Sequence, residues 1–231
     1  MSDDKLAKLL AQIQQQQAQL QNRLDTEQQS LSQLAKRLWA QQESEKARLS
    51  RELHDGVGQL LTGLTRRLQG LSKQYSELDE LVELSELALA DVRQLSRLMS
   101  PTILDDLGLV PALKWLSRSL FSHEDIEVEL QLDNDVTANH EINILVYRIV
   151  QESFVNIVKH ANATKVMLLL SSHHQTLRLD VVDNGDGFDN NCITQGIGLN
   201  SMQDRARAFD AELTIKSTPN KGTRITLTVC K

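Results

Sequence analysis

"RELHDGVGQLL", residues 51–61, has the apolar spacing of a helix, with Leu53, Val57, Leu60 and Leu61 along one side. It also holds His54 between two acids, and it contains Gly56 and Gly58, each of which costs roughly 1 kcal/mol against alanine inside a helix. The surroundings of His54 therefore need something that a plain helix does not supply. Two readings stay open: the glycines clear space where bulky partners dock, aided by a turn that can move, or they let helices pack closely.

Upstream, Leu6, Leu10, Ile13, Leu20, Leu24, Leu31, Leu34 and Leu38 alternate at three- and four-residue spacing, with Gln17 and Glu27 in the remaining core positions. That seam predicts a coiled coil over residues 1–42. The register then lapses from Leu38 to Leu49, a stutter that is either a mechanical coupling point or a loosely packed stretch. Downstream, helical periodicity runs from Leu49 to about Leu71 and again from Leu78 to Met99, around the polar turn "SKQYSELD". One such hairpin cannot cover its own apolar stripes, so residues 43–100 predict half of a four-helix bundle completed by a second copy, a homodimer. Ser100-Pro101 ends the second helix.

From residue 101 to 231 strand-like and helical stretches alternate. "IEVELQL", "KVMLLLS", "LRLDVVD", "AELTIKS" and "TRITLTV" alternate as strands, and residues 139–161 and 199–209 carry a helical period. The expectation is an α+β chain: coiled coil, helical hairpin, then an α/β sandwich of a sheet under helices.

Composition narrows the function. A net charge of -6, with four phenylalanines, two tryptophans and two tyrosines in 231 residues, argues against direct nucleic-acid binding, which calls for a basic stripe with stacking aromatics. Cys192 and Cys230 have no metal-type spacing and read as reduced thiols. "MSDDK" is no signal peptide and no apolar run approaches the ~18–20 residues that span a bilayer, so a cytoplasmic chain without a membrane segment is expected.

In "VVDNGDGFD" a hydrophobic strand delivers Asp183 to a loop with Gly185 and Gly187. A second pair, Gly196 and Gly198, opens the next helix, whose free amides suit phosphate. Neither a Walker pattern nor a complete G-x-G-x-x-G is present. On the preceding helix Glu152 and Asn156 share a face, continued by Lys159 and His160. The asparagine oxygen suits Mg²⁺, which takes most of its shell from water and substrate phosphates. Together these residues read as a nucleotide pocket with a short lid.

"ESFVNIVKHA", "DNGDGF", "GIGLNSMQDRA" and "GTRITLTV" resemble, in order and spacing, the boxes of the GHKL (Bergerat-type) ATP-binding domain of histidine kinases, gyrase-type ATPases and heat-shock 90 chaperones. "RELHDGVGQ" resembles the H box of two-component sensor histidine kinases of the H-D-x-x-x-Q subfamily, and the likeness covers about residues 44–231. The resemblance implies a kinase that autophosphorylates His54 and passes the phosphoryl group to an aspartate of a response regulator receiver domain. Asp55 would orient the imidazole, and Gln59 would place water for dephosphorylating the regulator. It further implies that Asp183 accepts the adenine amino group, that Asn156 holds Mg²⁺ with Glu152 beside it, and that Gly185, Gly187, Gly196, Gly198 and Leu199 shape the lid and phosphate cradle. Lys159 would neutralise phosphate charge, and Thr223 would lie near the adenine. ATP and Mg²⁺ are the implied cofactors, and the coil is the visible input from an upstream sensor. The rivals are an ATPase or serine kinase built on the same pocket, and a nucleotide-binding scaffold without kinase activity.

Overall fold

The computed structural model describes residues 2–100, 102–133, 136, 138–189 and 197–231. Helix α1 (Ser2–Glu52) is 51 residues long. It passes without a break in backbone direction into a π-helical turn (Leu53–Gly58) and then α2 (Gln59–Ser72), since Glu52 and Gln59 at the joins both keep helical dihedrals. The glycines that the opening stretch could not place in a regular helix thus lie in this widened turn, a form that recurs at functional sites. A Cβ on Gly56 would meet nothing within 4 Å and one on Gly58 would make only ordinary contact with the Leu53 carbonyl. Inside one chain, neither glycine is required by crowding.

A short 3₁₀ turn (Ser76–Leu78) reverses the chain into α3 (Asp79–Met99), whose first turn carries Asp79 and Glu80 against the positive helix end. Helices α1 and α3 come close at Ser50 and Ser96. Each hydroxyl donates to the other residue's carbonyl at 2.9 Å. Small, mutually bonded side chains let the backbones approach there without stranding a buried polar group. Ser100 is extended; Pro101 lies outside the described residues.

Two helices not delimited in the sequence follow: α4 (Thr102–Leu107) and α5 (Leu109–Phe121), separated by Gly108 at φ 84. Helix α5 inserts fully buried Leu113 and Leu116 into the core, so it belongs to the sheet's helical layer. Strands β1 (Glu127–Leu132), β2 (Lys165–His173), β3 (Thr176–Asp183), β4 (Glu212–Ser217) and β5 (Thr223–Cys230) form one sheet of order β1-β2-β3-β5-β4, parallel only between β1 and β2. Alternate residues Val166, Leu168 and Leu170, Leu177 and Leu179, and Leu227 and Val229 face the core. Helices α5, α6 (His140–Asn156) and α7 (Ile197–Ala208) supply Phe121, Tyr147, Phe154 and Met202 from above. Asn139 caps α6 by accepting from the Ile142 amide at 2.8 Å. At its other end α6 opens into a second π turn (Ile157–Ala161), closed by Asn162 in the left-handed region.

This is the expected α+β arrangement of a long helical stem followed by a sheet under helices. Of the expected seam, Ile13, Leu20, Leu24, Leu31, Leu34 and Leu38 are all exposed on one chain. The side chains of Leu6 and Leu10 are outside the described set. Among the described residues, no helix is long and apolar enough to cross a membrane.

Candidate functional site

Strand β3 ends at Asp183, and its carboxylate is turned inward, 7% exposed. Oδ1 accepts from the Gly185 amide at 2.9 Å and the Thr223 amide at 3.3 Å, and no described residue donates to Oδ2. Burial pushes this carboxyl above the usual range, with the two amides pulling the other way. The loop after it is shaped by what cannot fit: a Cβ on Gly185 would overlap the Ala161 carbonyl, and one on Gly187, at φ 57, the Thr218 carbonyl. Glycine is needed at both positions because the backbones touch.

Around Asp183 lies a cavity of about 440 Å³ whose walls include Asn156, Ile157, Gly187, Leu199, Thr223 and Ile225. The lining is mostly apolar with a few convergent polar groups, the usual character of a small-molecule site. Asn156, the last residue of α6, is part of the cavity wall. Glu152, one turn earlier, lies against Gly198 in the first turn of α7, where a Cβ would overlap its carboxylate. A carboxylate beside a helix N-terminus is favourably placed.

The structure therefore brings Asn156, Asp183, Gly187, Gly198, Leu199 and Thr223 to one cavity, with Gly185 buried beneath it and Glu152 at its α7 edge. Lys159 is exposed and does not line it; His160, the next residue along the face that Glu152 and Asn156 share, does. Gly196, Cys192 and most of the short lid lie outside the described residues. His54, Asp55 and Gln59 are exposed on the stem, and none of them lines the cavity.

Several supporting residues escaped the sequence. Gly222, at φ 77, passes so close to the Asp183 carbonyl that a Cβ would overlap it. The Ser217 hydroxyl accepts from the Phe188 amide at 2.8 Å and meets the Thr223 hydroxyl at 2.9 Å, pinning the loop to the closing strand. The Asn184 side chain accepts from the Thr164 and Lys165 amides at 3.0 and 2.9 Å. The signal for Gly222 was present in "PNKGT", a turn composition directly before a strand.

A cavity built on a buried carboxylate, flanking glycines and a helix-end asparagine has counterparts. The family described as histidine kinase matches residues 45–104, and the family of histidine kinase-, DNA gyrase B- and HSP90-like ATPases matches residues 141–231. The chain is 35% identical over 209 residues to the sensor histidine kinase MctS of Rhizobium johnstonii, covering 85% of this chain and 45% of that protein. It is 30% identical over 199 residues to the signal transduction histidine-protein kinase/phosphatase DegS of Brevibacillus brevis (81% and 52%). To the oxygen sensor histidine kinase NreB of Staphylococcus carnosus it is 34% identical over 198 residues (81% and 57%). The chain thus spans about half the length of the curated relatives it matches. In fold it is similar to the histidine kinase domain of the blue-light activated kinase EL346 of Erythrobacter litoralis, with a TM-score of 0.50 at 18% identity, covering 82% of this chain and 94% of that one. A phosphoacceptor-type helix followed by an ATPase-type sheet domain that binds ATP, with relatives named as sensor kinases along most of its length, means that this chain belongs to the two-component sensor histidine kinase family, in the H-D-x-x-x-Q branch.

Proposed function

We propose that the chain is an ATP-dependent protein histidine kinase in which His54 is the phosphoacceptor and an aspartate of a response regulator receiver domain the next acceptor. The observation that carries this is the pairing of an exposed histidine in a π turn of a two-helix stem with a cavity built around a buried carboxylate, one oxygen of which receives no hydrogen bond from the described residues. That oxygen suits the adenine amino group, and the Thr223 wall suits the ring edge. Asn156 offers an oxygen to Mg²⁺, and Glu152 stands one turn away at the mouth of α7. The ion, bound with ATP, would neutralise charge on the transferring phosphoryl group. Gly185 and Gly187 set the loop under the nucleotide, and Gly196, Gly198 and Leu199 would form the phosphate side, with Lys159 contributing charge at its rim.

The reaction needs little covalent chemistry from the protein. A neutral imidazole nitrogen of His54 attacks the γ-phosphorus, the bond to the β-γ bridging oxygen breaks, and ADP leaves. Asp55 is the carboxylate proposed to orient the other ring nitrogen and to accept its proton as the N–P bond forms. The receiver aspartate then takes the phosphoryl group from His54. Gln59, one helical turn beyond Asp55, would position water for removing phosphate from the regulator; the relative DegS is named a kinase/phosphatase.

Residues 43–100 would dimerise. Leu60 is 76% exposed on one chain, and Leu64, Leu84 and Leu87 share its fate, a stripe that a second copy would cover in a four-helix bundle. Residues 1–42 would bring a signal from an upstream sensor, and residues 101–231 would bind ATP. Because α1 crosses residue 42 as one helix, any signal is transmitted through a rigid element. The proposal places the protein in the cytoplasm, acting on regulators and not on nucleic acid.

The test is incubation with γ-labelled Mg-ATP beside His54→Gln. Acid-labile, alkali-stable label that disappears in the variant supports the assignment; label that persists in the variant rejects His54 as the acceptor.

A further inference from the structure

Among the described residues other than glycine, four hold φ in the left-handed region: Asn162, His174, Asp210 and Asn220. Such backbone is uncommon, and asparagine is one of the residues that tolerates it best. Two of these four meet one residue, Asp186. Asn162 closes the π turn at the end of α6, and its Nδ2 donates to Asp186 Oδ2 at 2.7 Å. Asn220 lies in the turn between β4 and β5, and its amide donates to the Asp186 carbonyl at 2.5 Å. The Asp186 amide in turn donates to the Ala161 carbonyl at 2.7 Å. Amide, carbonyl and side chain of Asp186 are thus all committed, and they tie the end of α6 to the turn between the last two strands.

Asp186 stands between Gly185 and Gly187, in the loop that leaves Asp183. Its two neighbours have no room for a side chain, since Gly185 is pressed on Ala161 and Gly187 on Thr218. At this crossing Asp186 therefore supplies the side-chain link. A little further along, Asn184 joins the same two segments. Its Nδ2 donates to Thr164 Oγ1 at 2.9 Å and its amide to the Lys165 carbonyl at 3.2 Å. Asp186 is exposed and does not line the nucleotide cavity, whereas Ala161 and Gly187 do. Its contacts bear on the walls and not on a ligand.

The cavity has two ends, carried by different elements. Asp183 and Thr223 lie on β3 and β5, and Asn156 is the last residue of α6. Between Asn156 and Asn162 runs the π turn, a rare form of helix that occurs mostly as single turns. Asp186 fastens the far end of that turn to the loop after Asp183. A ligand that engages both ends binds well when they are already at the right separation, because ordering them on binding costs affinity. We propose that Asp186 is a positioning residue: its hydrogen bond with Asn162 sets the end of α6, and with it Asn156, at the separation from Asp183 that a nucleotide carrying Mg²⁺ requires. The inference rests on the nucleotide reading above and adds to it the residue that couples the base end of the cavity to the metal end.

The test compares two ligands on the full chain by calorimetry. Mg-ATP would engage both ends, and ADP in the presence of EDTA would engage Asp183 without the metal. Asp186→Ala removes the side-chain acceptor and leaves the backbone bonds. Asn162→Gly removes the donor and keeps a residue at ease with positive φ. Each variant is expected to weaken Mg-ATP binding by about three- to tenfold, the scale of one hydrogen bond, with metal-free ADP within about twofold of wild type. The double variant should lose no more than the weaker-binding single one, because both remove the same bond. Asp186→Asn, whose amide oxygen can still accept from Asn162, should bind Mg-ATP nearly as wild type does. If Asp186→Ala does not fold, Asn162→Gly and Asp186→Asn carry the comparison. Equal losses for the two ligands would make Asp186 a general support of the fold and overturn the proposal. Unchanged Mg-ATP affinity, losses that add in the double variant, or an Asp186→Asn that binds as poorly as Asp186→Ala would overturn it too. Wild-type protein that binds neither ligand overturns the nucleotide reading itself.

Discussion

Arg148 on α6 and Glu43 on α1, 105 residues apart in the chain, are joined at 2.6 Å by a guanidinium that is 4% exposed. Removing either partner has unequal consequences. In Arg148→Met the Glu43 carboxylate and the Leu98 and Met99 carbonyls lose their donors together, and breaking a buried pair from one side costs about 3–5 kcal/mol. At roughly 2–4 °C per kcal/mol for a chain of this size, Tm should fall by on the order of 10 °C. In Glu43→Gln the guanidinium keeps three other acceptors, so the fall should be clearly smaller. Thermal unfolding followed by circular dichroism decides, and equal melting of the two variants would mean that the carbonyl contacts contribute nothing.

Two glycines make opposite predictions. Gly222→Ala places a Cβ against the Asp183 carbonyl at a φ of 77, so it should lower stability and disturb the carboxylate that the cavity is built on. Gly56→Ala meets nothing within 4 Å and should raise stability by roughly 0.5–1 kcal/mol through the unfolded chain. Urea unfolding of both variants measures this directly. A destabilised Gly56→Ala would show that the π turn itself rejects a side chain.

The contrast shows what the sequence could and could not reveal. Asp183, Gly185, Gly187 and Asn156 were legible because each lies in a short local pattern, where a strand end, a turn and a helix face announce themselves, whereas Thr223 came only with the family resemblance of "GTRITLTV". The five strands were legible from alternation. The Glu43–Arg148 contact was not, because a glutamate and an arginine on helices are ordinary solvated residues until the fold brings them together across 105 positions. The lapse of the leucine seam after Leu38 was legible as an irregularity, but the contacts that Lys36 and Trp39 make with Asp210 and Phe209, beyond the end of α7, were not. The glycines around His54 drew attention correctly, but their π-helical setting has no composition of its own.

Asp183→Asn separates ligand binding from folding. The amide oxygen can still accept from Gly185 and Thr223, but the side chain no longer has the second carboxylate oxygen proposed to receive the adenine amino group. ATP affinity should drop by about 10- to 100-fold, the scale of a hydrogen bond to a charged group. Stability should move the other way with pH. The Asp183 carboxyl lies above its ordinary value in the folded state because of burial. Its contribution is therefore full below the unfolded-state value and is lost as pH rises through the folded one. The variant should gain on wild type as pH climbs through the acid range. Calorimetric titration with ATP gives the first quantity and urea midpoints at several pH values the second; a pH-independent gap would contradict the burial of the charge.

Gln59 allows the two directions of phosphate flow to be pulled apart. It is exposed at the start of α2, directly after the π turn and four residues beyond Asp55, so a receiver docked over His54 would meet it. It lies outside the nucleotide cavity, and Gln59→Ala should leave ATP affinity and the rate of His54 labelling within about twofold of wild type, since nothing that the phosphoryl transfer uses is removed. If its amide positions the attacking water, loss of phosphate from a phosphorylated regulator should slow by roughly 10- to 100-fold, the range of an acid-base or positioning contribution. Following label on the kinase alone, and then on a purified regulator with ADP present, reads the two rates in one preparation. A variant that slows both steps equally would place Gln59 in the packing of the stem instead of in the chemistry of dephosphorylation.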